Sequence, residues 1–141
     1  MKNTKYIFGL VMSFLILSGC SSTTPIASRN AVHIPSDRHL NFKKPHPDAS
    51  VVIITRDKGL AGSLCATRVY ANGKLAAYVK PGEKVQLHVR SSQIILGIQP
   101  DGICGGAFVE REVKTSPSKP SYYRISYDHG GTMGLYPTAF R

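Results

Sequence analysis

The chain of 141 residues has no tryptophan, only three cysteines, and only 8 Asp plus Glu against 18 Lys plus Arg, a formal net charge of +10. The scarcity of carboxylates leaves little material for paired acid–base catalysis. Glu110 and Glu112 share one face of an extended segment, but with Lys114 they read as its solvated edge. No P-loop, Gly-x-Ser-x-Gly elbow, His-Glu-x-x-His or dinucleotide fingerprint occurs. No Cys-x-x-Cys is present, and no histidine is placed by sequence to activate a thiol. His33, His39 and His46 are scattered through a polar stretch and read as solvated imidazoles, so no metal or other cofactor is expected. These absences argue against an enzyme. The length is that of one small domain, and 42% hydrophobic residues exclude a wholly disordered chain.

The one long apolar run stands at the start. Lys2 and Lys5 precede an uncharged stretch from Tyr6 to Leu17, the length of a signal-peptide core and shorter than the roughly 20 residues of a comfortable transmembrane helix. Leu17-Ser18-Gly19-Cys20 follows and resembles the lipobox of bacterial lipoproteins. The resemblance implies that residues 1–19 are a removed signal peptide and that Cys20 carries the acyl chains, palmitate among them. Ser21 stands where inner-membrane retention has Asp, which implies an outer-membrane anchor with the protein facing the periplasm. One acyl chain holds a protein only reversibly, so the several chains of a lipoprotein make such an anchor stable.

Loss of Lys2 and Lys5 leaves 16 basic and 8 acidic residues. Residues 20–49 are rich in Ser, Thr, Pro and His without helical or alternating periodicity, and are expected to form a lipidated flexible tether of about 30 Å end to end. Residues 50–141 form the folded domain, with 12 basic and 6 acidic residues. With Cys20 assigned to lipid, two cysteines remain. In an oxidising compartment Cys65 and Cys104 are most simply a disulfide.

From Ser50 onward, short apolar bursts alternate with turn signals, the grammar of a β-sandwich. Val51 to Ile54 is a continuous β-branched run, expected to be a central strand buried on both sides. Asn72-Gly73 specifies a two-residue type I′ hairpin turn, pairing Ala71 with Lys74, Tyr70 with Leu75 and Val69 with Ala76. Either hairpin face has apolar residues, so its inward face stays open. Lys80-Pro81-Gly82-Glu83 fits a type II turn, and the next strand alternates, with Val85, Leu87 and Val89 on its apolar side. Further strands are expected over residues 93–99, 108–114, 122–128 and 133–136, giving an all-β sandwich of seven or eight strands. Val69 to Lys74, the Pro81-Gly82-Glu83 turn and the strand with Tyr123 to Ile125 resemble the small immunoglobulin-like β-sandwiches of many uncharacterised bacterial lipoproteins. The resemblance covers about residues 50–136 and implies no catalytic residues.

Tyrosine is the suggestive enrichment of the body. Tyr70, Tyr78 and Tyr122, with Arg90 and Arg124, are the candidate binding surface, because tyrosine and arginine are over-represented at recognition sites. The functional expectation is a non-enzymatic protein-interaction or structural module of the cell envelope, accessory to a secretion or surface assembly and partnered by an envelope protein. The alternative is binding of lipopolysaccharide, another polyanion or a glycan by the basic, Tyr-bearing surface. Nucleic acid is not expected in that compartment.

Overall fold

A computed structural model describes residues 23–141; the signal segment and Cys20 lie outside the described residues. Among the described residues nine strands follow one another: β1 (Val32–His33), β2 (Ser50–Arg56), β3 (Thr67–Ala71), β4 (Lys74–Val79), β5 (Glu83–Val89), β6 (Gln93–Pro100), β7 (Val109–Lys114), β8 (Ser121–Tyr127) and β9 (Met133–Pro137). They form a five-stranded sheet, β1-β5-β2-β8-β9, and a four-stranded sheet, β4-β3-β6-β7. The body therefore has eight strands in two sheets, the sandwich that its turn grammar predicts. No described helix is long and apolar enough to cross a membrane. Among the described residues the helices are three one-turn 3₁₀ segments.

The first body strand, β2, pairs antiparallel with β5 and parallel with β8. A constant-type immunoglobulin domain instead places its first strand beside its second. The shared feature is the two-layer architecture, with a different strand order inside it. Period-2 alternation fills the space between the layers. Val52 and Ile54 of β2, Val85 and Leu87 of β5, Leu96 and Ile98 of β6, and Ile125 of β8 are fully or almost fully buried. Val51 and Ile53 are only half-buried. The sequence expectation of a strand covered on both sides is corrected: β2 is central within its sheet, but one face of that sheet meets solvent.

The hairpin turn forms as expected, with Asn72 and Gly73 at φ of 48° and 75°. Ala71 and Tyr70 pair with Lys74 and Leu75, but Val69 pairs with Ala77. Ala76 is thus an extra residue, a bulge that shifts the expected register by one. The bulge coincides with bonds from outside the hairpin. The Ala76 carbonyl accepts N–H bonds from Leu40 and Asn41 at 2.8 and 3.1 Å, and Asn41 also donates its side-chain amide to the Leu75 carbonyl. Beyond the bulge, Thr67, Val69, Ala77 and Val79 turn inward.

The segment expected to be a free tether is packed on the body from Thr23 onward. β1 adds to β5 in parallel, Ile34 enters the core, and the His88 N–H donates to the Phe42 carbonyl. Arg38 grips Glu83 with two bonds of 2.7 and 2.6 Å. Running from β5 across to β4, this strap occupies an edge of each sheet, where unpaired backbone would otherwise face solvent. Its apolar contacts come from single residues without periodicity, so a pattern search could not find them.

Candidate interaction surfaces

Strand directions sort the loops into two ends. At the Arg56 end lie residues 57–66, 80–82, 101–108 and 128–132. At the Asn72 end lie residues 72–73, 90–92 and 115–120.

The outer face of the four-stranded sheet brings two expected residues together. Tyr70 and Tyr78 both point outward, Tyr78 opposite Arg68 and Tyr70 opposite Gly97. Gly97 leaves room for the pair, because a Cβ at this position would meet the Phe108 ring at 2.5 Å and the Tyr70 side chain at 3.3 Å. Tyr70 and Phe108 thus close over it edge to face, centroids 5.2 Å apart, a favoured aromatic geometry. Ile95 is 47% and Phe108 43% exposed. Around them stand Arg68, Gln99, Glu110 and Glu112, so an apolar centre has a charged and polar rim. That is the anatomy of many protein–protein interfaces.

The remaining expected residues are elsewhere. Tyr122 and Arg124 lie on the outer face of the five-stranded sheet, across the sandwich from Tyr70. Tyr122 has the Arg141 guanidinium 5.4 Å from its ring centroid. Arg90 is exposed at the Asn72 end. Arg124 pairs at 2.7 Å with Asp57, whose side chain is completely buried, so this charge is committed inside the protein. Burial pushes the Asp57 carboxyl up from its ordinary value, opposed by the Arg124 charge and by hydrogen bonds from Arg124 and Thr23. The five residues therefore form no single surface.

Cys65 and Cys104 are joined, with Cα atoms 6.1 Å apart. Their bridge staples the two longest loops at the Arg56 end. Arg56 itself, 1% exposed, is the residue that sequence reasoning missed. Its guanidinium donates to the carbonyls of Gly62, Cys65 and Val79 at 2.6, 2.7 and 3.0 Å and lies 5.4 Å from the Tyr127 ring centroid. A buried arginine is tolerable only when its donors are satisfied. Here they hold residues 62–65 in place, while burial draws the guanidinium below its ordinary value. The only sequence signal was a charge at the end of an apolar strand, and such charges are usually solvated. The stapled loops surround a cleft of about 570 Å³ lined in part by Leu60, Leu64, Cys104, Tyr127 and Met133.

His33, His39 and His46 do not converge, and no group of three His, Cys, Asp or Glu among the described residues could hold a metal ion. No protein-family model, curated protein or solved structure matches this chain.

Proposed function

We propose that this protein is an outer-membrane-anchored lipoprotein whose sandwich acts as a non-enzymatic protein-interaction module of the cell envelope, binding an envelope protein through the outer face of its four-stranded sheet. The observation that carries this reading is the Tyr70–Phe108 pair over Gly97 beside the exposed Ile95, an apolar centre on a sheet whose other face is already the core. Lipobox, basic start and apolar run support the anchor. The alternative, a polyanion or glycan site, has less support, because its candidate cations stand apart, Arg90 at the Asn72 end and Arg124 on the five-stranded sheet, where Asp57 neutralises it.

The test is a photocrosslinking residue at position 95 in cells, with one at position 122 as comparison. A discrete protein adduct at 95, insensitive to salt and lost in Phe108→Asp, supports the interaction module. A salt-sensitive adduct with lipopolysaccharide at either position replaces it with the alternative. For the anchor, Cys20→Ala should release the protein from the membrane fraction; unchanged fractionation refutes the lipoprotein reading.

A further inference from the structure

We propose that the Arg56 end of the sandwich is a membrane-docking surface: Leu60, Leu64 and Ile103 rest in the interface of the same bilayer that holds the lipid on Cys20. The inference deepens the lipoprotein reading and rests on it.

The first observation is where the described chain begins. The Thr23 N–H donates to the Tyr127 carbonyl, and Thr24 and Lys58 exchange backbone bonds of 2.6 and 3.0 Å. A Cβ on Gly59 would stand 3.1 Å from the Thr23 Cα. Thr23 is therefore fixed beside the loop of residues 57–66. Cys20 precedes it by three residues, so whatever their conformation the lipid attachment point is within about 11 Å of Thr23, at 3.8 Å per residue. No 30 Å spacer separates this end from the bilayer.

The second observation is what the end displays. Leu60 is 85%, Leu64 90% and Ile103 96% exposed, on the two loops that the Cys65–Cys104 bridge staples together. Among the described residues, no large hydrophobic side chain is exposed in the turns at the Asn72 end. Exposed aliphatics clustered at one end of a small domain mark a surface that is covered in use.

Backbone satisfaction is the third. Within the loop, Ser63 and Cys65 donate to the carbonyls of Leu60 and Gly62, and Arg56 donates to Gly62 and Cys65. Polar backbone that is already paired can enter a less hydrated layer at lower cost. Charge agrees as well. Lys58 and Lys80 are exposed at this end and suit anionic headgroups. Asp101 is paired with Arg68, and Asp128 accepts the N–H groups of Gly130 and Thr132.

Because the chain has no tryptophan, a single one is a clean reporter. Full-length lipidated Leu64→Trp, Ile103→Trp and, at the opposite end, Ser118→Trp are reconstituted in vesicles of phosphatidylethanolamine and phosphatidylglycerol, with flotation to establish attachment. All three positions are exposed, so each variant should fold. With lipids brominated near the top of the acyl chain, Leu64→Trp and Ile103→Trp emission should fall to about half or less, as expected for a depth of about 5–10 Å. Ser118→Trp emission should stay unchanged. Unquenched emission at both loop positions in floated vesicles overturns the docking surface and leaves the lipoprotein reading standing, and so does equal quenching at Ser118→Trp. Absence of acyl chains on Cys20, read by mass spectrometry of the membrane-extracted protein, refutes the lipoprotein reading, and the proposal falls with it.

Discussion

The two ends of the sandwich are built by different means. At the Asn72 end each turn is held by residues adjacent in sequence or on the neighbouring strand. The Asn72 side chain and backbone both bond Ile95, Ser91 bonds Gln93, and Thr115 donates to the Ser91 carbonyl. At the Arg56 end, Gly-containing loops are held by a buried guanidinium, a disulfide and the returning N-terminal strap. Short turns carry their own instructions, whereas the longer loops depend on groups that arrive from far along the chain. This dependence also makes it possible to hold aliphatic side chains outward.

The largest expected effect tests that dependence. Arg56→Ala removes three charge-assisted bonds to buried carbonyls and should cost about 5 kcal/mol, read from the urea midpoint of unfolding. Arg56→Lys should recover little, since an ammonium cannot span the fork of carbonyls. A loss below about 1 kcal/mol would show that the loops hold themselves and would erase the contrast between the ends.

Removing the bridge by Cys65→Ala with Cys104→Ala should cost about 4 kcal/mol for a loop closed over 39 residues. Hydrogen exchange should then accelerate across residues 58–66 and 101–108 and leave residues 72–73 unchanged. Uniform acceleration would mean that the bridge acts on the whole fold.

Arg38→Ala should cost about 1 to 2 kcal/mol, because the pair is bidentate and partly buried. For Glu83, burial raises the carboxyl, but the Arg38 guanidinium and the Lys80 N–H outweigh it and hold the carboxyl below its ordinary value. The sign follows. A carboxyl depressed in the fold contributes stability above the ordinary carboxylate range, and that contribution is lost as pH falls through the folded value. Acid unfolding of the wild type should therefore have a component that Arg38→Ala lacks, and identical acid profiles would place the strap's hold in its other contacts.

The smallest effects belong to the Asn72 end. Gly73→Ala, at φ of 75° with open space around it, should cost about 1 kcal/mol from backbone strain alone. Ser118→Ala should change stability by less than about 0.5 kcal/mol.

Legibility divides along the same line. Asn72-Gly73, Lys80-Pro81-Gly82 and the Val85-Leu87-Val89 alternation were readable because their determinants are two to seven residues long. The Cys65–Cys104 pairing was readable by counting. The bulge at Ala76 was not, since it accompanies bonds from Leu40 and Asn41, 35 or more positions upstream. Tyr70 and Tyr78 were candidates for a binding surface, yet the expected register set them on opposite hairpin faces, and Phe108 reaches Tyr70 only by folding over Gly97.

By itself the sequence determined the strand class, the tight turns, the disulfide partners and, through the spacing before Cys20, the expectation of a lipid anchor. These follow from local sterics, period-2 burial and covalent chemistry. Only the tertiary structure decided that residues 23–49 bind the body, that Arg56 is an interior clamp, and that Thr23 starts beside the exposed leucines. Each of those depends on groups brought together by chain closure, and a scattered Ile34 or Arg38 has no periodic signal until the surface it packs against exists.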